Sequence, residues 1–320
     1  MISTIAIVAG ALLLLGLAVL AGLWVWSRMV AGKVETALPP AGEIADVAGG
    51  KIHFTDQGEG RPIVMIHGLA GHLQNFTYAT TGALAGEYRV IALDRPGSGY
   101  SERDSDEQAR IPEQARMIAE FLAAKGIEKP LIVGHSLGGA VALALGLLYP
   151  ESVSGLALIA PLTTLPDEGA KVFDALKIAN PGVRRLVAET LAVPMSIRRG
   201  EESLAFVFAP NPPPSDFSMR GGGLLGLRPR AFMAASTDYQ AVALDLPDLT
   251  ARFSELKMPV GVLYGDRDRV LDHRLHLDAL RGAIPHLDEE VRPELGHMVQ
   301  ISEPETTEAF IRRMADKSFS

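Results

Sequence analysis

Five short apolar runs constrain this chain more than any other feature: PIVMIH (62–67), YRVIALD (88–94), PLIVGH (130–135), LALIA (156–160) and PVGVLYG (259–265). Each is rich in Val, Ile and Leu and is bounded by Gly, Pro or charge. None shows the polar alternation of a strand with one wet face. Runs of this kind are strands buried on both sides, as in a parallel sheet covered by helices. Stretches with helical periodicity, such as 111–126 and 139–151, separate several of them. Strand alternating with helix predicts an α/β class fold with a doubly wound, mostly parallel sheet. Ahead of these runs, EIADVAGGKIHFTDQGEG predicts two strands joined at Gly49 and Gly50, a pair that tolerates positive φ in a tight hairpin.

The alternation breaks between residues 162 and 237. Helical periodicity there gives way to FAPNPPPSDFSMRGGGLLGLRPR, rich in turn residues, and the sequence offers no strand. This predicts an inserted, mainly helical cap over 162–237, dividing a core into 43–161 and 238–320. Within it GGGLLG (221–226) fits a dinucleotide fingerprint, but it follows a polar segment instead of a buried strand, so cofactor binding is not expected there.

The other end is different in kind. No charged side chain occurs before Arg28, and residues 5–26 are almost wholly apolar, long enough to cross a bilayer at 1.5 Å per residue. Trp24 and Trp26 stand where interfacial anchors belong, followed by Arg28 and Lys33. A signal peptide normally has a basic start, a shorter apolar stretch and a small-residue cleavage site. An uncleaved transmembrane anchor over 1–32 is expected, with a Pro-broken linker over 33–42. The basic flank puts the body on the cytoplasmic side by the positive-inside rule. A net charge of −8 argues against nucleic acid as partner, and the absence of cysteine excludes disulfides, thiolate catalysis and cysteine-ligated zinc.

The chemistry gathers around GHSLGG. Gly134, Ser136 and Gly138 form G-x-S-x-G directly after an apolar run and directly before a helical one, the setting in which a serine projects from a sharp strand-to-helix turn. Ser136 needs a base, and the base a carboxylate to orient it. In chains with such an elbow the acid and then the histidine follow the serine. His297, in GHMVQ between a predicted strand (289–293) and the last helix, fits that order. His53, His67, His72 and His135 precede Ser136. His273 and His276 share a predicted helix and read as a solvated face, and His286 lies at the wrong end of the last strand. The acid could be Asp266 or Asp268, both just beyond a strand in GDRD. Leu137 N–H at the helix start and Leu69 N–H, in HGLAG after another strand, are the candidate oxyanion donors. His67 and Asp94 are expected to shape loops.

HGLAG, DRPGSGYS, GHSLGG, GDRD and GHMVQISEPE together, in this order, resemble the α/β-hydrolase superfamily from about residue 43 to the C-terminus. The resemblance implies a sheet of about eight strands and a Ser-acid-His triad. It favours Asp268, in register with Gly265 in a G-x-x-D pattern, over Asp266. It further implies acyl transfer to water with no metal or organic cofactor. The expected function is a membrane-anchored carboxylic ester hydrolase acting on a small, lipophilic acyl substrate. Lactone, thioester, C–C or peroxide substrates, and a non-catalytic binding protein on the same fold, remain open.

Overall fold

The computed structural model describes residues 4–166 and 169–320. Residues 1–3 of the expected anchor and 167–168 of the expected cap lie outside the described residues. Nine strands form one sheet: β1 (Glu43–Val47), β2 (Gly50–Gln57), β3 (Pro62–Ile66), β4 (Arg89–Leu93), β5 (Glu102–Arg103), β6 (Leu131–His135), β7 (Gly155–Ile159), β8 (Val260–Gly265) and β9 (Asp288–Arg292). Their order is β1-β2-β4-β3-β6-β7-β8-β9, with β5 paired to β2. All pairings from β4 through β9 are parallel, whereas β1 and β2 form the antiparallel hairpin at Gly49 and Gly50. The longer helices are α1 (Thr4–Ala37), α2 (Ile111–Ala124), α3 (Leu137–Leu148), α4 (Pro181–Val187), α5 (Val193–Phe208), α6 (Pro229–Thr250), α7 (His273–Arg281) and α8 (Pro304–Phe319).

The apolar runs explain the layering. Side chains alternate across a strand, so Val64, Ile66, Ile91, Leu93 and Ile132 pack on one face with Ile118 and Phe121 of α2 and Val141 and Leu145 of α3. Ile63, Met65, Val90, Leu131 and Val133 pack on the other, against Phe310, Ile311 and Met314 of α8. These α8 residues recur at helical spacing, which gives that helix a single buried stripe. Both sheet faces are therefore dry, which is why the strands carry no polar alternation. At the edge, β9 is half wet and carries Asp288, Glu289, Glu290 and Arg292, charges that discourage pairing with another chain.

The chain reverses direction across the sheet at β3 and β6. From β3 it proceeds to β4 on one side, and β6 is the neighbour on the other. Their carboxyl ends thus flank a crevice, the usual ligand position in open α/β sheets. Every residue of α3 except Leu148 is buried. It lies close because of its glycines: a Cβ on Gly134 would come 2.6 Å from Gly138 O, and one on Gly138 would come 2.2 Å from Ile66 O.

Between β7 and β8 the described residues hold helices and turns but no strand: α4, a π-turn (Ala188–Ala192), α5, a short helix (Phe217–Arg220) and α6. Helix α6 runs unbroken through residue 237, so no structural break marks the expected boundary there. At the N-terminus, α1 continues to Ala37, so residues 33–37 are helical and not linker. The cause is packing: Ser27, Ala31 and Val34 recur at helical spacing and are buried against the body. The helix ends where Leu38 precedes Pro39, a position that disfavours the helical region. Ahead of this stripe, α1 is the one described helix long and apolar enough to cross a membrane, and none of its most apolar eighteen residues is buried.

Gly138→Ala is expected to lower stability by about 1–3 kcal/mol through overpacking, seen as a lower thermal unfolding midpoint. Gly86→Ala, where a Cβ meets nothing within 4 Å, serves as the control and should leave that midpoint unchanged.

Candidate active site

Ser136 links β6 to α3 at φ 54° and ψ −120°, a backbone conformation that disfavours a residue with a Cβ. The turn is held from both sides. Ser136 N–H donates to Ile159 O at 3.0 Å, and Ser136 O accepts from Gly139 N–H at 2.9 Å and Leu162 N–H at 3.0 Å. The geometry lifts the side chain off the sheet edge at the head of α3, whose first N–H groups have no partner within the helix. Leu137 N–H and Leu69 N–H have no intramolecular acceptor among the described residues. They lie at the carboxyl ends of the neighbouring strands β6 and β3. Contact between the two loops is close, since a Cβ on Gly68 would stand 2.9 Å from Ser136 Cβ. Ala70 is also at positive φ, 54°, so both walls of this notch carry strained backbone.

Asp268 follows β8 and His297 follows β9. His297 Nδ1 and Asp268 Oδ2 are 2.7 Å apart, both side chains almost fully buried. Asp268 Oδ1 accepts from Val270 N–H at 2.7 Å and Leu271 N–H at 2.9 Å. Burial on its own would raise this carboxyl. His297 and the two backbone donors outweigh it and hold Asp268 below the usual carboxylate range. Asp266 is turned elsewhere: its Oδ1 accepts from Glu294 N–H at 2.8 Å. Of the two candidate acids, Asp268 is therefore the one that meets His297. Ser136 Oγ and His297 are not hydrogen-bonded among the described residues; such contacts are often long without substrate and tighten when it binds.

Several histidines serve the scaffold. His135 Nε2 lies 3.1 Å from His297 O and its ring centroid 4.8 Å from that of His297, so the residue before the serine supports the histidine loop. His67 accepts from Arg95 N–H at 2.9 Å through Nε2. Asp94 accepts from Leu73 N–H and Tyr100 N–H, at 2.8 and 2.9 Å, and faces His53 Nδ1 at 2.7 Å. His276 is not solvated as expected: it is buried, and its Nδ1 accepts from Thr163 N–H at 3.2 Å. Helix α7 turns it inward beside Leu277 and Leu280.

Arg95 escapes sequence reasoning, because a charged side chain reads as surface. It is fully buried. Nε donates to His67 O at 2.9 Å and Nη2 to Gly68 O at 3.1 Å, while Nη1 reaches Gln114 Oε1 at 2.8 Å and Asp238 Oδ2 at 2.7 Å. Gly68 O and Leu69 N–H belong to one peptide and point in opposite directions across its plane. Fixing the carbonyl therefore aims Leu69 N–H away from Arg95. Asp238, on α6, also binds Arg103 at 2.6 Å, tying the helical insertion to this loop. The place of Arg95 in DRPGSGYS is no signal for such burial; only the partners reveal it.

The insertion also packs against the histidine loop. A Cβ on Gly296 would come 1.9 Å from Ala209 O, so that segment crosses directly over the His297 loop. Phe208 and Phe217 pack with Met298 and Ile301, and Asn75 Nδ2 donates to Gly221 O at 2.9 Å. Ser136 is 8% exposed and His297 4%. A groove of 1340 Å³ lies elsewhere, between α1, the insertion and the loop after β4. It is lined by Arg28, Glu35, Arg103, Glu189 and Arg228 and includes neither Ser136 nor His297.

With this geometry, relatives fall into place. The family model of the α/β hydrolase fold matches residues 61–304. A 2-hydroxy-6-oxo-6-phenylhexa-2,4-dienoate hydrolase of Burkholderia cepacia is 30% identical over 78% of this chain and 86% of its own. A 2-hydroxy-6-oxononadienedioate/2-hydroxy-6-oxononatrienedioate hydrolase of Comamonas testosteroni is 30% identical with the same coverage. Among solved structures, a bacterial membrane phospholipase A superposes with a TM-score of 0.68 at 26% identity, covering 98% of this chain and 95% of that one. The chain belongs to the α/β-hydrolase family, and it is an enzyme of the serine hydrolase type.

Two outcomes follow. Arg95→Lys keeps a charge for Asp238 but loses the planar fork on the two carbonyls, so kcat should fall at least about tenfold with KM little changed, since oxyanion contacts act mainly in the transition state. Acid should destabilise the protein early. Burial holds His67 and His135 down to about 3 and His72 and His276 to about 4. The unfolded chain binds these protons below pH 6.5 while the folded chain refuses them. Stability is then full above pH 6.5 and declines toward pH 4 by about 1.4 kcal/mol per pH unit for each histidine, measurable by denaturant unfolding across that range.

Proposed function

We propose that this protein is a membrane-anchored serine hydrolase that cleaves carboxylic esters, with Ser136 as nucleophile, His297 as general base and acid, and Asp268 as the group that orients His297. The 2.7 Å contact between His297 Nδ1 and Asp268 Oδ2 beside the strained Ser136 elbow carries the reading. With Nδ1 engaged, His297 Nε2 is left to take the proton of Ser136 Oγ as Oγ attacks the acyl carbon. The carbonyl oxygen becomes an oxyanion held by Leu69 and Leu137 N–H. Collapse expels the alcohol, which takes the proton from His297, and an acyl-serine remains. Water, deprotonated by His297, then attacks the acyl group and releases the acid. Asp268 stays ionised throughout, as its depressed pKa requires. This chemistry calls on neither metal nor organic cofactor.

In this reading α1 spans the membrane, bilayer lipid is its partner, and Arg28 and Lys33 favour a cytoplasmic body. The segment 162–237 serves as a cap. A lipophilic ester is the favoured substrate. The membrane phospholipase A match covers 98% of this chain and so takes in α1, whereas the two dienoate hydrolases match over 78%. Those same dienoate hydrolases support the second reading, in which the triad cleaves a C–C bond next to a carbonyl.

Labelling with a fluorophosphonate probe tests the triad. The wild type should label, and Ser136→Ala and His297→Ala should not; Ser136→Ala should lose about 10⁴-fold or more in turnover. A folded wild type that refuses the probe would overturn the serine-nucleophile reading. Comparing long-chain esters with a dienoate substrate then separates the two substrate classes.

A further inference from the structure

We propose that the helical insertion carries a second membrane-contact surface, formed by Val183, Leu186, Leu191, Met195 and Ile197, which rests in the lipid headgroup layer beside the point where α1 enters the bilayer. The proposal rests on reading α1 as an anchor.

Among the described residues eleven large apolar side chains outside α1 are exposed, and five of them fall within this stretch of fifteen positions, each between 39 and 52% exposed. Scattered exposed apolar residues need no explanation, whereas a cluster marks an interaction surface. The cluster spans α4, the π-turn and the start of α5; of these, the π-turn and α5 pack against α1. Ser27 Oγ donates to Thr190 O at 3.3 Å, and Arg28 Nη2 lies 2.7 Å from Glu189 Oε1. Both contacts lie within one turn of Trp24 and Trp26, about 5 Å along the helix. The tryptophans belong at the membrane–water boundary, and α1 has no buried residue ahead of Ser27. The π-turn is thereby held at the level of that boundary, with Leu191 next to the residue that binds Ser27.

The occupant is lipid because α1, read as the anchor, is held to the π-turn by Ser27 and Arg28, directly after its uncharged, unburied stretch. Arg185, Arg198 and Arg199 are exposed around the patch and form no ion pair among the described residues. Long cationic side chains of this kind lay their stems on apolar surface and reach headgroup phosphate. Glu201 and Glu202 follow a turn further along α5, so the contact is primarily apolar and needs no anionic lipid. Such seating would hold the insertion, which packs on the His297 loop, at the surface where lipophilic esters reside.

The chain has no cysteine, so single labelling sites are clean. Full-length Leu191→Cys and Ile197→Cys, labelled with an environment-sensitive fluorophore and reconstituted into phosphatidylcholine vesicles, should show a blue shift and loss of emission when the lipid carries a spin-label quencher. Leu275→Cys, on α7, should show neither, and Leu13→Cys within α1 should be strongly quenched. Quenching at position 13 with none at 191 and 197 overturns the proposal while leaving the anchor intact. Absence of quenching at position 13 overturns the anchor reading and the proposal with it. A blue shift at 191 and 197 without lipid quenching assigns the face to a protein partner or a second copy, and likewise overturns the proposal.

Discussion

The contact on which the molecule depends is the near-touching backbone of β6, α3 and β3 around Gly134 and Gly138. With side chains there, α3 would stand off the sheet and the Ser136 turn would relax. The strain at Ser136 persists because the surroundings over-determine it: hydrogen bonds to Ile159, Gly139 and Leu162 on one side, a wholly apolar helix on the other. Parallel strands buried on both faces supply the rigid platform. The switch in strand order lies between β3 and β6, and Leu69 and Ser136 follow the carboxyl ends of these two strands.

A second constraint is electrostatic. Arg95 is a buried charge satisfied by two loop carbonyls, a glutamine and Asp238. Buried ion pairs add little net stability, but removing one partner costs about 3–5 kcal/mol. The arrangement therefore behaves as a specification: it fixes the peptide plane of Leu69 and fastens α6 to the same loop. The Gly68–Leu69 peptide and α6 are thus both tied to one guanidinium. Burial likewise disfavours the charged form of His67, His72, His135 and His276, while His297 rests on the Asp268 carboxylate.

The helical insertion has two neighbours of different character. On its inner side Phe208, Phe217 and Ala209 close over the histidine loop, and on its outer side Thr190 and Glu189 hold α1. Residues 188–208 thus run from the contacts with α1 to the packing of Phe208 on the histidine loop.

Much of this was legible in the sequence, for definite reasons. Continuous Val/Ile/Leu runs dictate doubly covered parallel strands because only that environment leaves no polar face. Gly-x-Ser-x-Gly between strand and helix dictates the elbow because only small residues permit the approach. Chain order then singled out His297, and an uncharged stretch of over twenty residues set α1 apart. The G-x-x-D resemblance already favoured Asp268 over Asp266, and the structure gives the reason: the Asx turn onto Val270 and Leu271 brings Asp268 to His297, while Asp266 accepts from Glu294 N–H. The tertiary structure alone decided the rest. Helix α1 runs on to Ala37, past the expected linker start, because the body buries Ala31 and Val34. His276 and Arg95 are interior because partners from distant segments, Thr163 and Asp238, satisfy them. Local sequence encodes periodicity, turn chemistry and backbone clearance. It cannot encode which polar side chains find their partners more than a hundred residues away, and that is what buried these two.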